Sequence, residues 1–182
     1  MPTIHLICED DTDAEIVRAI FRAKTLDIRV NRVPLAGTSG GISRLAYKLE
    51  DLIKLARDER KRGDCIAVLH DADEHTETDR REYEKIRQIC EKYKEDVYLA
   101  IANDAIEAWL LADEGLCKWL GIKAKNRDEE PRPKDILNRH LKKKNKSLKW
   151  QGRHRATILA QLDGSGDQHS LSMQAAVGHI NC

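Results

Sequence analysis

Acidic residues gather at two places in this chain where an apolar run ends. The run Ile4-His5-Leu6-Ile7-Cys8 is followed by Glu9, Asp10, Asp11 and Asp13, and the run Cys65-Ile66-Ala67-Val68-Leu69 by His70, Asp71, Ala72 and Asp73. Two carboxylates about 4 Å apart repel by roughly 4 kcal/mol at a near-surface dielectric. Such a cluster persists when a divalent cation or a shared proton compensates it. Hard oxygen donors favour Mg²⁺ or Mn²⁺ over zinc. Side chains alternate across a strand, so Asp71 and Asp73 project together if the strand stays extended through 73. In an open α/β sheet, ligands bind outside the carboxyl ends of the strands. The two acidic groups therefore read as halves of one metal site, with Glu9, Asp71 and Asp73 at its centre.

Strands and helices must alternate to bring them together. Residues 3–8 predict a first strand, and Thr12-Asp13-Ala14-Glu15 matches a capping box ahead of Ile16, Ala19, Ile20 and Ala23 at helical spacing. Residues 28–33 alternate as a half-exposed strand. The loop Gly37-Thr38-Ser39-Gly40-Gly41 precedes an amphipathic helix carrying Ile42, Leu45, Leu49, Leu52, Ile53 and Ala56. The continuous apolar run at 65–70 reads as a central parallel strand buried on both faces. A helix over 79–93, a strand over 97–102 and a helix over 105–113 complete the β-α repeat. The fold class is α/β, with a mainly parallel four-stranded sheet flanked by helices. Beyond 114 the expectation is a loop at 123–133, a short basic helix at 134–144, and two helices around Gly164-Ser165-Gly166.

Glu9-x-x-x-Asp13 after the first strand, a glycine-bearing loop after the second and Asp71-x-Asp73 after the third resemble a Toprim domain. That catalytic module is shared by topoisomerases, bacterial primases, ribosomal-RNA maturases and overcoming-lysogenization-defect nucleases. The stretch Ala105-Ile106-Glu107-Ala108-Trp109-Leu110-Leu111-Ala112-Asp113 is similar to a helix of small stand-alone Toprim-like proteins of bacterial defence loci, including RloB-like abortive-infection proteins. The first motif departs from the family, with Glu9-Asp10 where Glu-Gly is usual. The resemblance implies a Rossmann-like catalytic core over residues 1–113 and Mg²⁺-dependent phosphodiester hydrolysis, in phage or mobile-element defence. It also implies that Glu9 ligates metal or deprotonates water, that Asp71 and Asp73 hold Mg²⁺, that Asp13 is a second ligand, and that Glu107 serves a second ion.

Each acid also has a local reading. Glu9, Asp10 and Asp11 fit an acidic first helical turn, Asp13 sits just inside the capping box, and Asp104-x-x-Glu107 fits a capping pair. Asp71 to Glu82 spans an EF-hand length but has Thr76 where glycine is required. His70 and His75 flank the aspartates and could contact phosphate or a metal, or read as ordinary exposed histidines. His169, His179 and Cys182 have no zinc spacing. The 37–41 loop lacks the Gly-Lys-Ser/Thr ending of a nucleotide-triphosphate loop.

Charge is uneven. Residues 1–113 hold 18 basic against 24 acidic side chains, and residues 114–150 hold 12 against 5, within a chain of net charge +1. Residues 114–182 are expected to be a basic, mostly helical extension packing on the core. Lys142, Lys143, Lys144, Lys146 and Lys149 could track the phosphate backbone of DNA or RNA, Trp150 could stack on a base, and Arg153 and Arg155 could extend the surface. As a solvated helix end, the same run needs no ligand.

The length of 182 residues, 41% of them hydrophobic, suits one soluble domain. No apolar run approaches a membrane span, and the N-terminal run is too short for a signal peptide. Five cysteines without a CxxC pair read as reduced thiols in a cytoplasmic protein. The rivals to a nuclease are a non-catalytic Toprim-like protein that binds nucleic acid or serves a partner ATPase, a receiver-like phosphoacceptor, and an Asp-x-Asp phosphatase. Against the receiver, the Asp71 spacing is long, and no lysine ends the 97–102 strand where that fold would place one. The phosphatase requires its nucleophile after an N-terminal strand, where this chain has Glu9.

Overall fold

The structure, a computed structural model, describes residues 1–35, 41–72, 77–103, 105–126, 128 and 131–179, without the side chains of 77–80 and 179. Strands β1 (Thr3–Ile7), β2 (Arg29–Arg32), β3 (Cys65–Asp71) and β4 (Val97–Ala102) alternate with helices α1 (Asp11–Ala23), α2 (Ile42–Glu59) and α3 (Glu77–Lys92). Helices α4 (Glu107–Ala112), α5 (Glu114–Leu120), α6 (Pro133–Lys144), α7 (Arg153–Leu159) and α8 (Leu171–His179) follow. The sheet is entirely parallel, in the order β2-β1-β3-β4. The chain thus winds outward on both sides of the β1/β3 boundary, which is the topological switch point of this order.

Alternation along the strands divides the core in two. Ile4, Leu6 and Cys8 of the first run join Cys65, Ala67 and Leu69 on the face covered by α1. Ile7, Ile66 and Val68 face the other way, onto α2 and α3. Both faces are covered, which is why β3 is apolar without interruption. The residues after 113 are built into the α1-side layer, where Leu116, Leu137, Leu141, Ile158 and Met173 share one cluster with β1 and β3. The residues after 113 therefore supply part of that core themselves.

Polar bonds fix this layer. Asp113 caps α5 by accepting the Leu116 N–H and also accepts the Gly164 N–H, each at 2.9 Å. Burial raises its carboxyl above the ordinary range. The Trp109 indole donates to Ser172 Oγ at 2.8 Å, and Ser172 in turn donates to Asp128 at 3.0 Å. Helix α4 is thereby clamped to α8, and its position is set before any ligand arrives.

Cys8, Cys90 and Cys117 are buried free thiols. Cys65 is disulfide-bonded, which corrects the expectation that all five cysteines are reduced. Spacing along a chain does not reveal which thiols the fold brings together. No helix among the described residues is long and apolar enough to cross a membrane.

Candidate functional site

The carboxyl ends of β1 and β3 open into one cleft of about 500 Å³. Asp10, Asp13, Asp71 and Glu107 line it, together with Arg132, Lys134 and Asp135 at the start of α6. The acids come from three elements, and each is held by its backbone surroundings.

Asp10 is the N-cap of α1, with an extended backbone. Its Oδ1 accepts the N–H groups of Thr12 (2.6 Å) and Asp13 (3.2 Å), while Asp13 Oδ2 accepts the Asp10 N–H at 3.3 Å. The capping box is therefore Asp10 with Asp13, two residues before the one that Thr12 suggested. An aspartate can close the box as glutamate does because it accepts equally well. Asp11 lies outside this exchange and pairs with Arg32 at 2.8 Å.

Asp71 is the last residue of β3, and its Oδ1 accepts the Ile106 N–H at 2.9 Å. It caps the entry to α4 from a neighbouring strand. The ladder continues one residue further, with Ala72 N–H donating to Ala102 O at 2.8 Å. Asp73, Asp104, His75, Cys182 and most of the 37–41 loop lie outside the described residues. His70 is buried, not exposed as its sequence neighbours suggested. Position 70 falls on the α2–α3 face of β3, and its ring lies 4.8 Å from that of Tyr83.

Glu107 is only 5% exposed and accepts the Trp150 indole N–H at 2.8 Å. Trp150 is equally buried, so it is not the base-stacking platform that the basic run suggested. Its apolar ring completes the α1-side core, and its one polar side-chain atom is bonded to Glu107.

Burial dominates the titration of the cleft acids Asp13 and Glu107. Burial pushes the Asp13 carboxyl up to about 7, helped by the charges of Asp10, Glu9 and Glu107, while the bond from the Asp10 N–H works against the shift. Burial also raises Glu107, opposed by the Trp150 bond and the Lys134 charge. The Cys8 thiol is pushed to about 12 by burial and by Asp13, and is inert as a nucleophile. Glu9 is half-buried, is not among the residues lining the cleft, and acts on Asp13 through its charge.

No family model, curated protein or solved structure matches this chain. Its site is read from its own geometry.

The sequence-predicted basic residues divide by environment. Lys142, Lys143, Lys146, Lys149 and Arg153 are exposed. Lys144 bonds the Trp119 carbonyl, and its ammonium lies 4.5 Å from the Trp119 ring centre. Arg155 is drawn inward: it donates to Thr12 Oγ1 and pairs with Glu15 at 3.3 Å, tying α7 to the first turns of α1.

Arg132 and Lys134 were not among the expected site residues: Arg132 fell in the expected loop over 123–133, and Lys134 at the start of the expected basic helix over 134–144. Arg132 has a left-handed backbone (φ 56°, ψ 55°) and is followed by Pro133, so the helix starts abruptly beneath the acids. The signal was the Pro131-Arg132-Pro133 triplet, because proline is favoured in the first turn of a helix.

Proposed function

We propose that the protein is a Mg²⁺- or Mn²⁺-dependent phosphodiesterase of nucleic acid, working at the cleft between β1 and β3. One observation carries the reading. Carboxylates from the ends of both central strands and from α4 share one cavity with the cationic side chains of Arg132 and Lys134 at the switch point. Acids that gather a metal, beside cations that meet phosphate oxygens, suit phosphoryl chemistry.

The donors fit a hard cation in kind. All are carboxylates, and the Asp13 carboxyl is raised first by burial and then by the negative charge of its neighbours. Among the described residues, no three acidic, histidine or cysteine side chains stand close enough to hold a metal, and Asp73 is outside that set. Glu9, Asp71 and Asp73 would hold the first ion, with Asp13 beside them and Glu107 offering the oxygen that Trp150 leaves free to a second. Such an ion lowers the pKa of a bound water and offsets charge on the phosphate. Arg132 and Lys134 would orient the phosphate. The exposed lysines from Lys142 to Lys149, together with Arg153, would follow the strand beyond it.

The test is nicking of DNA and RNA with Mg²⁺ or Mn²⁺. Glu9→Gln and Asp71→Asn should each abolish cleavage while circular dichroism and thermal midpoint stay near the parent values. Cleavage at parental rate in both variants overturns the proposal. Retained binding without cleavage in the parent chain favours a non-catalytic nucleic-acid-binding protein instead.

A further inference from the structure

The two edges of the sheet are protected differently. β2 is four residues long and carries Arg29 and Arg32, with Pro34 just beyond it. Short strands, charges and proline are means by which a sheet keeps its edge from another chain. β4, at the other edge, is the six-residue run Val97-Tyr98-Leu99-Ala100-Ile101-Ala102, with neither charge nor proline. Helix α8 packs on one face of it, where Met173 and Ala176 join the cluster of Ala100 and Ala102. Beside β4 and α3 a groove of about 700 Å³ remains, and Leu99 and the 38% exposed Tyr98 line it on the strand side.

The other wall is the outer face of α3 and the turn after it. Glu84, Arg87, Glu91 and Lys94 follow one another there at helical spacing, all of them exposed. Acid and base alternate along this row, so the row is its own complement when reversed. Residues 84 and 94, like 87 and 91, are centred on 89. A two-fold axis level with residue 89 therefore sets Glu84 against the partner's Lys94 and Arg87 against the partner's Glu91. Laid parallel in register, the same rows would set like charges side by side. Within one chain these side chains are tied only locally. Glu91 bonds Lys94 at 2.7 Å, Glu84 accepts from Gln88 at 3.0 Å, and Arg87 has no ion-pair partner among the described residues. Exposed pairs of this kind contribute little, so exchanging them for contacts with a second copy costs little.

We propose that the α3–β4 edge is a self-association surface whose occupant is a second copy of this chain, related by a two-fold axis. Tyr98 and Leu99 of each copy supply the apolar centre, and the charged rows set partner and register. In such a contact every residue pair occurs twice, so Arg87 and Glu91 form two ion pairs. The surface shares no residue with the acidic cleft, and the inference is independent of the proposed hydrolysis.

Sedimentation equilibrium of the full chain at low salt tests this. The expected result is a reversible monomer–dimer equilibrium. Arg87→Glu and Glu91→Arg each put two like-charged pairs into the contact. Either change alone should weaken dimerisation by about tenfold or more, while circular dichroism matches the parent. Mixing the two variants in equal amounts restores opposite charges at both pairs. The mixture should dimerise about as the parent does, and so should the chain carrying both exchanges. A parent chain that stays monomeric at every attainable concentration overturns the proposal. A dimer that neither single reversal weakens overturns it too, because such a dimer uses another face. So does a mixture that associates no better than its components.

Discussion

Trp150 donates its indole N–H to the Glu107 carboxylate at 2.8 Å, joining the segment after α6 to the floor of the acidic cleft. Both side chains are buried, so neither has water to fall back on. A hydrogen bond to a charged group contributes roughly 1.5–3 kcal/mol, and an orphaned buried carboxylate costs at least as much. Trp150→Phe should therefore lower the unfolding free energy by about 2 kcal/mol. Glu107→Gln keeps an acceptor for the indole and removes a buried charge, so it should cost far less. Urea denaturation of the two variants checks the asymmetry; equal losses would show that the bond contributes little.

Asp71 has a structural task besides any metal, since its Oδ1 accepts the Ile106 N–H. Asparagine preserves that acceptor and alanine does not. Asp71→Asn should stay near parental stability, whereas Asp71→Ala should lose about 1 kcal/mol, the usual cost of a missing cap. Both should abolish cleavage. If only the alanine variant fails to cleave, Asp71 belongs to the architecture alone.

Asp13 makes the cleft sensitive to pH. Its carboxyl is raised from 3.8 to about 7 by burial and by neighbouring acids. Between those values the folded protein holds a proton that the unfolded chain has released, so stability falls as pH rises. The contribution is complete below 3.8 and is lost as pH passes through about 7. In Asp13→Asn, which can still accept the Asp10 N–H, this decline in the urea midpoint should flatten. A parental slope would mean that the group is not raised.

The β-α order, the parallel sheet and the placement of Asp71 at a strand end were legible because strand alternation and helical spacing are local signals. Trp150 was misread for the opposite reason. A tryptophan after a lysine run carries no local sign of burial, and only the return of α6 past α4 shows that its ring completes a core. Arg132 and Lys134 were missed likewise: their link to Asp71 depends on how the chain after 120 folds back over the cleft. The capping box was legible as a motif but displaced, because Asp10 outcompetes Thr12 once the backbone is extended at residue 10.

Arg132 holds its position at the expense of backbone strain. A left-handed backbone costs a side-chain-bearing residue roughly 1–2 kcal/mol, and glycine avoids most of that. Its carbonyl still accepts the N–H groups of Asp135 and Ile136, so the helix start survives substitution. Arg132→Gly should raise stability by up to about 1 kcal/mol while lowering cleavage, the signature of a residue kept for function. A variant that is more stable and fully active would remove Arg132 from the site.

The basic residues should separate in a salt titration of DNA binding. Lys142, Lys143, Lys146 and Lys149 are exposed, whereas Arg155 is held by Thr12 and Glu15. On duplex DNA, each phosphate neutralised by the protein contributes about 0.9 to the slope of log affinity against log salt. Replacing the four lysines with glutamine should flatten the slope by up to that amount for every phosphate they had neutralised, without changing the urea midpoint. Arg155→Gln should do the reverse, lowering stability by about 1 kcal/mol as the tie to α1 is broken and leaving the slope nearly intact. If the four-lysine variant keeps the parental slope, the run is a solvated helix end and the strand must leave the cleft by another path.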